Sequence, residues 1–395
     1  IFLRKNMNIG IVVGGKFHAF ELAKNLHNKN YLSQIVTSYP KNSLERAIPK
    51  SKISSLLFKE IFKKIIDYLP YADLRNKANF YNDDFFDFIA SKNINFDNID
   101  ILIGWSGFSK RSFLKIKKNN CIKILERGSS HIEFQYEILK NEYIRLDMKP
   151  NLPSNEIINK ELHEYELADY ICVPSNFSKK TFIEKGFEES KIKVIHLGVD
   201  TSKFFPINKK KNENFSILST GEVSIRKGSH ILLEAFNELN LKNCQLIFVG
   251  NIENGLKKYL NKFDLNKSIF FLKPVKENQL NKIYNEANIF ILNSLEDGFG
   301  MVIPQAMSCG LPIITTTNTG ASEIIEHNKE GFIIPTKNKE MLKEKIKILY
   351  ENENLTKEMS KNSLKKINNN FSWLSYGNEA INFYEQIYSK YFKEY

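Results

Sequence analysis

The chain reads as two successive series of short apolar runs, each run followed by a helical pattern, with one basic stretch dividing the series. The first holds "IGIVVGG", "ILIGWSG", "IKILERG", "YICVPS" and "KVIHLG"; the second holds "FSILSTG", "QLIFVG", "SIFFL", "IFILNS" and "LPIITTT". Runs this short, rich in β-branched and aromatic residues and alternating with amphipathic stretches, are the pattern of parallel sheets covered by helices. Between them "KFFPINKKKNENFS", residues 203–216, is polar and basic with one proline and reads as a linker. The prediction is an α/β chain of two tandem Rossmann-like doubly wound domains, 1–205 and 206–375, followed by an aromatic-rich helical segment, 376–395.

Size and composition agree with that division. A chain of 395 residues is too long for one core, and 42% hydrophobic with 26% charged residues is a globular composition. The formal charge, 57 − 45 = +12, favours anionic partners: nucleotides, nucleic acid or an acidic membrane surface. No interleaved aromatic and basic recognition module points to nucleic acid. Cys121, Cys172, Cys244 and Cys309 lie far apart, which suggests neither a disulfide framework nor a zinc site and fits a reducing cytoplasm. No apolar run approaches the roughly 18 residues a bilayer requires. The opening "IFLRKN" precedes the first methionine, Met7, and is left out of the fold.

In open parallel sheets, ligands bind beyond the carboxyl ends of the strands. The loops that matter are therefore "GGKFH", "ERGSSH", "GEVSIRKGS" and "EDGFGMVIPQ". In the last, Gly298 and Gly300 fall where a strand turns into a helix expected over Val302–Ser308. Glycines there let backbone approach a ligand, and the N–H groups of a helix start favour phosphate. In the third loop, opened by Gly221, Arg226 and Lys227 stand beside Gly228, where both cations could reach a diphosphate. Either loop alone is equally a tight turn or a solvated helix start; their occurrence in one domain argues for a nucleotide.

The run "GEVSIRKGSHILLEAF … YNEANIFILNSLEDGFGMVIPQAMSCGLPIITTTNTGASEII" resembles the carboxyl-terminal domain of retaining glycosyltransferases of family four, which have the GT-B fold. "GGKFHAFELAKNL", "EYELADYICVPSNFSKKTF" and "KVIHLGVDTSKF" extend the similarity into the first half. The resemblance implies transfer of a sugar from a nucleoside-diphosphate donor to a glycan or lipid-linked acceptor, with retention, in a cleft between the domains. It also implies that the final helix crosses back to cover the first domain.

In that family the first acid of a Glu, seven residues, Glu pattern contacts the donor sugar and the second the ribose. Here those positions are Asp297 and Gln305, with Glu296 a competing candidate for the first. The rest of the turn, Gly298, Phe299, Gly300 and Met301, joins the donor-binding set, as do Gly14 and Gly15 from the opposite wall. Lys227 matches the family's phosphate-binding lysine, while Glu222 stands where arginine is common and Arg226 is expected to supply the guanidinium. His131 is given a catalytic or sugar-binding role, the other reading being a histidine that caps a helix or the core. No Asp-x-Asp occurs, so no metal and no cofactor beyond the sugar nucleotide itself are expected.

"KSKISSLLFKEIFKKIIDYL", residues 50–69, reads as an amphipathic basic helix that either packs on its own domain or rests on an anionic membrane. A cytoplasmic protein, peripheral at the inner face of the cell membrane, is the corresponding expectation. The alternatives to transfer are a non-catalytic nucleotide-sugar-binding protein and a GT-B-fold sugar-nucleotide epimerase.

Overall fold

The structure, a computed structural model, describes residues 7–69, 71–116, 121–207, 214–261 and 267–393. Part of the expected linker, 208–213, lies outside them. The first series of runs makes a seven-stranded sheet of β1 (Ile9–Val13), β2 (Leu32–Thr37), β3 (Ile53–Ser55), β4 (Ile101–Trp105), β5 (Ile122–Glu126), β6 (Tyr170–Val173) and β7 (Ile192–Val194). The second makes a six-stranded sheet of β8 (Phe215–Thr220), β9 (Cys244–Val249), β10 (Ile269–Leu272), β11 (Ile289–Leu292), β12 (Ile313–Thr316) and β13 (Gly331–Ile334).

All pairings are parallel, in the orders β3-β2-β1-β4-β5-β6-β7 and β10-β9-β8-β11-β12-β13. Strand order therefore reverses between β1 and β4 in one sheet and between β8 and β11 in the other. Those switch points open crevices at the strands' carboxyl ends, where the loops after β1, β8 and β11 sit.

The strands β2, β3 and β13 are additions to the sequence reading. β3 corrects it: residues 50–69 are not one helix, because Lys50–Lys52 form a 3₁₀ turn, Ile53–Ser55 an edge strand beside β2, and only Phe58–Ile66 an α-helix.

Each sheet buries apolar residues on both faces, as βαβ crossovers require. The two domains also share core. Leu139, Tyr143 and Leu146, at the end of helix Ile132–Arg145, pack in one cluster with Ile217, Val223 and Leu256 of the second half. The last helix, Trp373–Lys393, begins three residues before the expected 376 and lies against helix Ala19–Asn28 of the first half. Asn25 Nδ2 donates to Trp373 O at 3.2 Å and the Tyr31 hydroxyl donates to Glu385 at 2.6 Å. Gly377 makes this approach possible, since a Cβ there would lie 2.2 Å from Asn25 Cγ.

Candidate active site

The loop after β8 is clamped onto the end of β11. Gly228 has φ +65°, and a Cβ there would lie 1.9 Å from Asn293 O, so the loop closes only around glycine. Leu295 N donates to Arg226 O at 2.9 Å, which sets Arg226 and Lys227 over the adjacent acids. The Lys227 ammonium forms an ion pair with Asp297, and the other oxygen of that carboxylate accepts from Gly300 N at 3.1 Å. Arg226 Nε donates to Glu296 at 2.9 Å and its Nη2 to the Ser129 hydroxyl at 3.0 Å.

Glu296 is fully buried and faces the first domain. Its carboxylate accepts from the Ser129 hydroxyl, from Ser130 N at 3.1 Å and from Gln135 Nε2 at 3.0 Å. Burial alone would raise its pKa, but Arg226 and these donors outweigh it and hold the group at about 2. Next to it, a Cβ on Gly298 would lie 2.4 Å from Gly128 O, and the Gly298 carbonyl accepts from the Ser175 hydroxyl at 2.6 Å.

At four positions the structure adds contacts that the sequence reading does not include. Glu296 and Gly298 are engaged by the other domain, Phe299 is only 2% exposed, and the Gly300 N–H is already held by Asp297. The Gly298–Met301 turn thus helps to close a seam between the domains. Arg226 is likewise spent on that seam, although a third of its side chain, 33%, still meets solvent. Lys227 and Asp297 remain paired at the edge.

The loops after β8, β9 and β10 border a cavity of about 360 Å³, lined among others by Thr220, Gly221, Asn251, Val275 and Val302. That is within the size range of small-ligand sites, roughly 300–1,000 Å³. Gly221 has φ +109° with open space where a Cβ would point, and Gly250 must be glycine because a Cβ would lie 1.7 Å from Gly221 O. Gln305 stands behind this wall. The Tyr284 hydroxyl donates to Gln305 Oε1 at 3.2 Å and shares a 2.8 Å hydrogen bond with the Thr220 hydroxyl.

Thr220, Gly250, Asn251, Val275 and Tyr284 were not among the sequence candidates. The strand-ending "FVG", parallel to "STG" one strand earlier, is the signal that would have found Gly250. Glu222 borders both this cavity and a larger one of about 640 Å³, which includes Arg75, Lys149, Glu253 and Lys258.

In the first domain, Gly14 and Gly15 occupy a buried turn with a packing reason of their own. A Cβ on Gly14 would lie 2.1 Å from the Phe108 ring, and one on Gly15 2.6 Å from the Phe17 ring.

His131 is a correction. It is 1% exposed, its Nδ1 accepts from Glu133 N at 3.3 Å as a helix cap, and its ring lies among Tyr165, Phe182 and Phe187. Burial, then the charges of Arg127 and Lys185, pull its pKa down to about 3. Its ring is neutral and packed in the core, the helix-capping alternative of the sequence reading.

Residues 200–366 match the family described as glycosyl transferases group 1. The capsular polysaccharide biosynthesis glycosyltransferase CapM of Staphylococcus aureus is 27% identical over 224 residues, 52% of this chain and 58% of that one. A probable sucrose-phosphate synthase of Thermosipho melanesiensis is 30% identical over 211 residues, 50% of this chain and 48% of that protein. The chain thus spans about half to three fifths of the length of these relatives. Among solved structures, sucrose-phosphate synthase from Thermosynechococcus elongatus superposes with TM-score 0.68 at 16% identity over 98% of this chain and 100% of that one. Anabaena HepE in complex with UDP does so with TM-score 0.66 at 17% identity, over 96% and 100%. The fold is GT-B, and residues 200–366, which contain Lys227, Asp297 and Gln305, are similar to the glycosyl transferases group 1 family.

Proposed function

We propose that this protein transfers a sugar from a nucleoside-diphosphate sugar to a glycan or lipid-linked acceptor, with retention of anomeric configuration and without a metal ion. The observation that carries the reading is that the loop bearing Lys227 starts at Gly221 on the cavity wall, and the turn bearing its ion-pair partner Asp297 leads into Val302 on the same wall. A nucleoside fits the cavity, with the Thr220 hydroxyl on its wall in reach of the ribose and backed by Tyr284 and Gln305. The diphosphate then extends toward Lys227, whose ammonium exchanges Asp297 for phosphate and stabilises the charge that grows on the leaving group. Asp297, so released, turns to the hydroxyls of the donor sugar.

Two further observations support the reading. HepE has been crystallised with UDP and with UDP-glucose on the same fold, and CapM is named for capsular polysaccharide biosynthesis. Glu222 stands on the rim of both cavities, so an acceptor in the larger would lie beside a donor in the smaller. Among the described residues no helix is long and apolar enough to cross a membrane.

The test is a thermal-shift screen of nucleotide sugars, followed by turnover of the selected donor in excess chelator with the anomeric configuration of the product read by NMR. Stabilisation followed by chelator-resistant transfer supports the proposal. Binding with neither transfer nor hydrolysis makes the protein a non-catalytic sugar-nucleotide binder, and conversion of the donor sugar without an acceptor makes it an epimerase.

A further inference from the structure

Helix Phe58–Ile66 is turned inside out. Its apolar residues Phe58, Ile61, Phe62 and Ile65 share one face by their spacing. Yet the buried side chains of the helix are Lys59 and Ile66, while Ile61, Phe62 and Ile65 are 57%, 48% and 58% exposed. Lys59 is tolerated inside because its ammonium sits 3.1 Å from Asp83 and 5.0 Å from the centre of the Phe108 ring. A helix that buries a lysine and shows Ile61, Phe62 and Ile65 to water has an apolar face reserved for something outside the chain.

The face continues onto the neighbouring helix, Ala72–Asn93. Phe58 meets Phe85 edge-on at 5.2 Å, and Phe85, Tyr81 and Leu74 are themselves exposed. Of the seventeen large apolar side chains exposed among the described residues, nine fall between Leu57 and Phe85. Chance scatter over the surface would place one or two there, so the concentration marks an interaction surface.

We propose that this face docks on an anionic lipid bilayer. Three features select a membrane over a protein partner. Lys63 and Lys64 are exposed on the same helix and Lys77 on the next, matching negative headgroups. Three of the exposed groups, Tyr68, Tyr71 and Tyr81, are tyrosines, whose ring and hydroxyl suit the boundary between acyl chains and water. The helix is short, apolar on one side and basic, the form that lies in an interface without crossing it. This inference stands apart from the transfer reading, since it requires no activity.

Co-sedimentation with phosphatidylglycerol–phosphatidylcholine vesicles tests it. At low salt the protein pellets with these vesicles and stays in solution with phosphatidylcholine alone. Lys63→Gln and Lys64→Gln each weaken binding about fivefold, and Ile61→Ser with Ile65→Ser weakens it at least about tenfold without lowering the melting temperature. Should a serine variant fold poorly, Tyr68→Trp reports instead: the side chain is 89% exposed, and its emission shifts to the blue on addition of anionic vesicles. No pelleting at low salt, or no shift, overturns the proposal. Concentration-dependent dimerisation that the serine changes abolish, without vesicle binding, also overturns it and assigns the face to a second copy.

Discussion

The Glu296 carboxylate of the second domain accepts the Ser129 hydroxyl of the first, and both are held by the Arg226 guanidinium. One buried acid thus joins two domains and fixes a cation beside the site. Glu296→Gln keeps the shape but leaves Arg226 without its countercharge. Removing one partner of a buried pair costs about 3–5 kcal/mol, and solvent at the third of Arg226 that stays exposed reduces this to about 2 kcal/mol. Urea denaturation is the measurement, and an unchanged midpoint would refute the assignment. The folded pKa lies below the ordinary 4.5, so the contribution is present above that value and is lost as pH falls toward about 2.

Lys227 and Asp297 neutralise each other, so the donor phosphate must displace a carboxylate to reach the ammonium. The two substitutions therefore act in opposite directions on product affinity. Lys227→Ala should weaken binding of the nucleoside diphosphate product about tenfold or more and cut turnover, because the charge-assisted contact is gone. Asp297→Asn should leave UDP binding equal or tighter while turnover falls about a hundredfold, the scale of losing a contact that matters in the transition state. Calorimetry with UDP and a turnover assay separate the two. Parallel losses of affinity in both variants would show that Asp297 only holds Lys227 in place.

The doubly wound architecture was legible because strand runs such as "IFILNS" are apolar throughout, the mark of strands buried on both faces, and turn glycines follow them. β2 escaped notice because Ser33 and Gln34 interrupt its apolar pattern, and β3 because an edge strand of three residues carries too little periodicity. Asp297 and Gln305 are candidates through a short motif within one loop and helix, and Lys227 through a separate loop whose pairing with Asp297 the sequence does not show. The role of Glu296 was hidden, since its partners Ser129, Ser130 and Gln135 lie more than 160 positions away. His131 misled for a related reason: a histidine after a strand looks alike whether its ring faces a cleft or three aromatic rings, and only packing decides.

That packing gives His131 a measurable pH signature. Its folded pKa is depressed to about 3 from 6.5, so below 6.5 the unfolded chain binds a proton that the folded protein refuses. The stability held at neutral pH is lost as pH falls, by about 2 kcal/mol between pH 6.5 and 5. His131→Asn keeps a helix-capping side chain and removes the titration, and should flatten the stability curve over this range. A His131→Asn curve with the same slope as the wild type between pH 7 and 5 would mean that the ring is solvated, reopening a place for it at the site.

Gln305 touches the cavity only through Tyr284, whose hydroxyl also reaches Thr220 on the wall. If this trio reads the ribose, strengthening the acceptor at its end should be felt by the ligand. Gln305→Glu places a carboxylate where the amide was and gives a charge-assisted hydrogen bond in place of a neutral one, roughly twice as strong. UDP affinity should rise about three- to tenfold. Tyr284→Phe removes the middle of the chain, leaves Gln305 and Thr220 without their shared partner, and should lower affinity by a similar factor. Calorimetric titration of both variants decides the matter. Unchanged affinity in Gln305→Glu together with a loss in Tyr284→Phe would show that the tyrosine shapes the cavity wall while the amide takes no part in reading the nucleotide.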